Sequence, residues 1–245
     1  TVCSCAVAYI IACIVYNKSN FADDSGRLVL LFAATILASF IILNVHTYVT
    51  YPDYSSSSPW LVNHDAKRHF SQSLGLYDGT LSIKNIPHPS LPLITAGLWK
   101  LLGVNIIYPL AANMLFTLLA IILGGRLAAT LLHDKIHAMT ASRISTVAML
   151  LNTAVCNFMV HGSLLLRESV IYFSLTLVML SLCNLFTDKG MKPIFTFLAG
   201  TVLLVFSRSH LLFFVLAGIM TFLIRKPSRN IKIAIIALLI VCSCY

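Results

Sequence analysis

Leu28-Val29-Leu30-Leu31-Phe32-Ala33-Ala34-Thr35-Ile36-Leu37-Ala38-Ser39-Phe40-Ile41-Ile42-Leu43 is a run of sixteen residues without one charged side chain. Extended to residue 49, it is long enough to cross a bilayer as a helix. Comparable apolar runs recur at residues 106–132, 144–160, 170–186 and 194–224, with shorter ones at 2–16 and 233–245. The chain is 58% hydrophobic and only 10% charged, with a mean hydropathy of +0.89. Such a composition belongs to an integral membrane protein. The runs are continuous rather than alternating, which excludes a transmembrane β-barrel. The expected fold is an all-α polytopic membrane protein of about seven to eight transmembrane helices. Residues 1–245 read as a single transmembrane domain, with no repeat and no internal boundary. The chain lacks an initiating Met and both ends fall inside apolar runs, so it reads as a piece of a longer protein.

The interval 50–90 is the longest polar stretch, and with the short apolar segment after it forms an expected extracytoplasmic loop of about residues 50–104. Within it, Asn63-His64-Asp65-Ala66-Lys67-Arg68-His69-Phe70 is the densest cluster of ionisable side chains. Ser55-Ser56-Ser57-Ser58-Pro59 ahead of it reads as irregular, and Asn63 as the cap of a short helix. At helical spacing, Ala66, Phe70, Leu74 and Tyr77 share one face, with Asp65, His69 and Gln72 on another. That pattern predicts a juxtamembrane helix lying at the surface. Pro87-His88-Pro89-Ser90-Leu91-Pro92 interrupts the chain, and residues 93–102 are too few to cross.

Loop charges set the orientation. Arg225, Lys226, Arg229 and Lys232 lie in one short acid-free loop, expected to be cytoplasmic. Residues 194–224 would make a helix of about 46 Å with Arg208-Ser209-His210 at its centre, or a hairpin of two helices of about 21 Å each with those residues at the tip. The hairpin places Lys18, Arg27, Lys135, Arg143, Lys189 and Lys192 on the cytoplasmic side too, and is preferred. It also puts the 50–90 interval, Arg167-Glu168 and Arg208-Ser209-His210 together on the opposite face. Charges at span ends mark functional sites, although each of these groups also fits the role of an interfacial anchor.

The net charge of +9 does not point to nucleic acid, because the basic residues sit in short loops without a basic and aromatic stripe. The seven cysteines fall in apolar runs, where Cys packs as a small hydrophobe. Their spacing does not fit a zinc site. No phosphate-binding glycine loop, metalloprotease motif or nucleophile elbow is present. What remains is carboxylates, guanidinium groups and imidazoles beside lipid. Arginines match phosphate oxygens, and a carboxylate can take a proton from a hydroxyl. Those groups fit glycosyl transfer from a sugar carried on a polyprenyl phosphate. A divalent metal is compatible with this chemistry, but no ligand set is evident.

The order of these features resembles the GT-C superfamily of membrane glycosyltransferases, in its protein-mannosyltransferase-like and aminoarabinose-transferase-like branch. Asp65 in His64-Asp65-Ala66 matches the acidic motif that opens the family's first large external loop. Pro87 to Pro92 through Leu102-Gly103 is similar to its proline-rich entry to an apolar segment, Asn113 to a span asparagine and Arg126 to a basic helix end. Leu166-Arg167-Glu168-Ser169 matches bacterial relatives. The resemblance spans about residues 28–210. The chain has one acid where the family has two adjacent ones, and lacks the soluble C-terminal domain of some members. The resemblance implies Asp65 as catalytic base, His88 and Glu168 as acceptor-orienting groups, and Arg167, Arg208 and His210 as donor-phosphate ligands. Lys67, Arg68 and His69 are secondary candidates. The implied partners are membrane lipids, a polyprenyl-phosphate sugar and a glycan, lipid or protein acceptor, in the inner membrane of a bacterium. Asp53 and Asp78 read as loop solvation. Two other classes fit: an O-antigen polymerase or ligase-like enzyme, and a transporter or flippase of lipid-linked sugars. The first expects its large external loop late in the chain; the second expects charges at the membrane midplane.

Overall fold

The computed structural model describes residues 1–50, 64–132, 138–187, 191–211 and 215, and among these every regular element is helical. The order is α1 (Val2–Asn17), α2 (Asp24–Thr50), α3 (His64–Tyr77), α4 (Ser90–Leu102), α5 (Ile107–Leu132), α6 (Ala138–Ala154), α7 (Cys156–Ser163), α8 (Glu168–Thr187) and α9 (Lys192–Arg208). Short 3-10 turns cover Ile83–Asn85 and Ser209–Leu211.

Four stretches among the described residues are long and apolar enough to cross a membrane: Asp24–His46, Ile107–Leu132, Glu168–Leu185 and Lys192–Leu211. Among the same residues α1 and α4 are shorter apolar helices. The basic loop at 225–232 and the returning arm of the expected hairpin lie outside the described residues. The α-helix does stop at Arg208, where the 3-10 turn begins.

Local chemistry explains the boundaries. The Asp23 carboxylate accepts the Gly26 N–H at 2.6 Å, three residues into the next turn, and so caps α2. Pro193 stands in the first turn of α9, where its missing N–H has no helical partner to lose. Gly103 ends α4 with φ of 87°, a conformation that L side chains avoid, and its N–H returns to the Trp99 carbonyl. One expected span is corrected. Residues 144–160 are not a continuous helix: the chain extends at Val155, with ψ of 98°, between α6 and α7. Neither proline nor glycine stands at this break, so local sequence gave no warning of it.

α5 is the central helix, packed by α1, α6, α7 and α8. Leu30, Leu37 and Ile41 of α2 pack with Leu110, Met114, Leu118 and Ile121 of α5 in the main core. A second core joins α8 and α9 through Val178, Leu182, Phe197 and Leu204. Gly125 lets α6 come close: a Cβ there would stand 2.8 Å from the Ser145 carbonyl. Small residues at helix contacts are the usual means of packing in lipid, where helices gain nothing from hiding apolar surface. Ile10, Leu28, Leu31, Phe32, Leu43 and Phe195 remain exposed and form the apolar exterior.

Candidate functional site

The site is assembled at the end of the bundle where α3, the start of α4, the start of α8 and the end of α9 meet. α3 is amphipathic and docks on α4. Phe70 and Tyr77 meet the buried Trp99 edge-on, at 5.4 Å and 6.3 Å between ring centroids, a favoured aromatic geometry. Trp99 is fixed in turn by donating from Nε1 to the Asn105 carbonyl at 2.9 Å.

The phase of α3 differs from the expectation. The face shared by Asp65, His69 and Gln72 turns inward at His69, which is fully buried together with Ala66 and Ser73, while Leu74 is exposed. The reason is that α3 packs on two neighbours. Ala66 belongs to the main core, His69 lies within range of Arg167 at the start of α8, and Phe70 and Tyr77 meet Trp99 of α4. The inward stripe therefore turns to include position 69.

Arg167 is also buried, at 9% exposure. It follows a short irregular segment between α7 and α8, and this segment is held by Asn113 of α5. The Asn113 amide donates to the Leu164 carbonyl at 2.5 Å and to the Leu166 carbonyl at 2.9 Å. Beside it, the hydroxyls of Thr117 and Ser169 are 3.2 Å apart. Gly162 packs on Thr117 and Leu37 with no room for a side chain. A second tie joins α4 to α9: Ser207 Oγ donates to Ser90 Oγ at 2.8 Å in a buried position. It brings His88, two residues before Ser90, toward Arg208, the residue after Ser207.

These ties gather ionisable groups from four stretches. Arg167 lies within electrostatic range of Glu168, Arg208, Asp65 and Arg68. His88 lies within range of Arg167, Arg68, Arg208 and His210. His69 lies within range of Arg167, Arg68 and Asp65. Asp65 and Arg68 form an ion pair at 3.7 Å, each about half exposed. Thus Asp65, Arg68, His69, His88, Arg167, Glu168, Arg208 and His210 come together. Lys67 is exposed on α3 and is not among these charges.

The cluster leaves polar atoms unsatisfied. Arg167 Nε and Nη1, Arg208 Nε, Glu168 Oε2, His88 Nδ1 and both ring nitrogens of His69 are buried without hydrogen bonds of good geometry. Burial lowers the Arg167 pKa, with Glu168 partly offsetting it. Burial, followed by the fields of Arg167 and Arg68, pushes His69 down to about 4. Burial and then Arg167 hold His88 below the ordinary imidazole value as well. Both imidazoles are therefore neutral at pH 7. Neutral nitrogens and guanidinium N–H groups gathered in one cluster can bind an anion and a hydroxyl.

Among the described residues no three His, Cys, Asp or Glu side chains come together as metal ligands. The prevailing cations would repel a divalent ion. On the side of the bundle formed by α1, α4 and α5, an apolar groove of about 310 Å³ is lined by Val7, Ile11, Leu98, Leu102, Ala111 and Leu115.

Two contributors were not legible as site residues. Asn113 was matched as a span asparagine but given no role at the site, and the Ser90–Ser207 contact joins positions with no local sequence signal. No protein-family model, no curated protein and no solved structure matches the chain.

Proposed function

We propose that the protein is a membrane glycosyltransferase that moves a sugar from a polyprenyl-phosphate donor to an acceptor hydroxyl on the extracytoplasmic side. The observation that carries this reading is the convergence of Arg167, Arg208 and Arg68 with Asp65, His88 and Glu168 from four separate stretches beside a surface helix. Unsatisfied guanidinium N–H groups suit a phosphate, and the apolar groove suits a lipid chain. The GT-C likeness of the sequence fits the same chemistry.

In this reaction the acceptor oxygen attacks the anomeric carbon and forms the new glycosidic bond. The bond from that carbon to the phosphate oxygen breaks, and its electron pair leaves with the phosphate. Arg167 and Arg208, with His210 at the rim, hold the growing negative charge. The hydroxyl proton passes to Asp65, while His88 and Glu168 orient the acceptor. Arg68, paired with Asp65 at 3.7 Å, holds that carboxylate in place.

The test is transfer of radiolabelled sugar from a polyprenyl-phosphate donor in membranes carrying the protein. Asp65→Asn should abolish transfer while leaving membrane insertion intact; retained transfer would remove Asp65 from the catalytic role.

A second reading, a transporter of lipid-linked sugars, is favoured by the break between α6 and α7 at Val155. The cluster's position at the helix ends favours the enzyme. Donor translocation without transfer, in reconstituted vesicles, would reverse that preference.

A further inference from the structure

The proposed reaction leaves one property of the cluster unused. His69 is fully buried with neither ring nitrogen hydrogen-bonded in good geometry, although Gln72 lies alongside. His88 is half-buried, with Nδ1 unpartnered. His69 faces Arg167 and Arg68, and His88 faces Arg167, Arg68, Arg208 and His210. α3 contributes Arg68 and Asp65, the start of α8 contributes Arg167 and Glu168, and the end of α9 contributes Arg208 and His210. Guanidinium groups outnumber carboxylates, so an anion held by Arg167 and Arg208 would offset the positive field at the rings.

We infer that the two imidazoles make this cluster a joint site for a phosphate-type anion and a proton, so that the entry of one draws in the other. The inference rests on the anion-site part of the proposed function and not on any transfer reaction. Coupling between two ligands is reciprocal: if the anion raises the imidazoles' proton affinity, the proton raises the anion's affinity by the same factor.

The sign follows from the groups named. Without an anion, burial and the arginines depress both imidazoles, and both are neutral at pH 7. A bound anion offsets the arginine field and moves both pKa values up. Proton uptake then occurs between the depressed and the raised value, so anion binding strengthens as pH falls from about 7 toward 5. His88 dominates, because it is less buried and faces three arginines. In a transfer reaction the same coupling would make the imidazoles more basic as charge accumulates on the leaving phosphate.

The ligand's own titration must be kept out of the measurement. Methyl sulfate and farnesyl sulfate present the same monoanionic sulfate ester without and with a lipid chain, and neither changes charge across this range. Histidine-labelled protein in nanodiscs is titrated with each probe and followed by the imidazole NMR resonances. His88→Asn and His69→Asn assign the signals. The expected result is a rise of about one unit in the His88 pKa at saturation, with binding that tightens from pH 8 downward and approaches about tenfold only once the pH is well below the free-protein His88 value. His88→Asn should lose most of that pH dependence, and Arg167→Gln should lose the binding itself. Tighter binding of farnesyl sulfate assigns the ligand to a lipid headgroup, and equal binding to a free anion; the inference stands in both cases. Saturable binding with unmoved imidazole titrations overturns the inference but leaves the anion site. Failure of both probes to bind at either pH overturns both.

Discussion

Asn113→Leu is the perturbation that isolates the clamp behind Arg167. Leucine keeps the branching and heavy-atom count of asparagine at a fully buried position, so the change removes donors without opening a cavity. Two hydrogen bonds disappear, those to the Leu164 and Leu166 carbonyls. The Leu164 carbonyl retains the Leu166 N–H at 2.9 Å, so the main penalty falls on Leu166. A buried polar group left unpaired costs about 1–3 kcal/mol, whereas hydrogen bonds between membrane helices average nearer 0.6 kcal/mol. Together the losses come to about 2 kcal/mol. For a chain of this length that corresponds to a fall of roughly 4–8 °C in Tm, read by thermal unfolding in detergent. Thr176→Val is the control, because its hydroxyl bonds only within its own helix, and it should stay within about 0.5 kcal/mol of wild type. An Asn113→Leu protein that melts with wild type would refute the clamp and the positioning of Arg167 that depends on it.

Other consequences concern the remaining supports. The Asp23 carboxylate, at the start of α2, accepts hydrogen bonds from Ser142, the Gly26 N–H, Thr146 and Tyr16. Burial pulls its pKa upward, but these bonds outweigh it and hold it below 3.8. A depressed carboxylate stabilises the fold above its unfolded pKa and loses that contribution as pH falls through the folded value. The Tm should therefore drop on acidification below about pH 4, and Ser142→Ala should make that drop shallower; an unchanged pH profile in Ser142→Ala would show that the bond contributes nothing. Trp99→Ala should cost about 3–5 kcal/mol and free α3 from α4, measured as faster hydrogen exchange across residues 64–77. Exchange that stays at the wild-type rate would mean that Phe70 and Tyr77 do not hold α3 through this ring.

The sequence made the long spans legible because uninterrupted apolar runs leave little else possible in lipid. α2, α5 and α8 follow those runs closely, and the thirteen-residue α4 is short, as its few apolar residues required. The break at Val155 was not legible, since it depends on how α6 and α7 pack rather than on a proline or glycine. The phase of α3 was misread at His69 for a similar reason: periodicity assumes one apolar partner, and this helix has two. The charged members of the site were visible individually. Their meeting was not, because it depends on Asn113 gripping backbone carbonyls more than fifty residues away and on Ser207 reaching Ser90.

Binding of a short polyprenyl phosphate to the purified protein, with Arg167→Gln alongside, tests the central claim most directly. The account predicts saturable binding that weakens at least about tenfold in Arg167→Gln, the loss of a charge-assisted contact, and no competition from the corresponding prenol. Equal affinity in Arg167→Gln, or full competition by the prenol, would contradict a phosphate site built around Arg167.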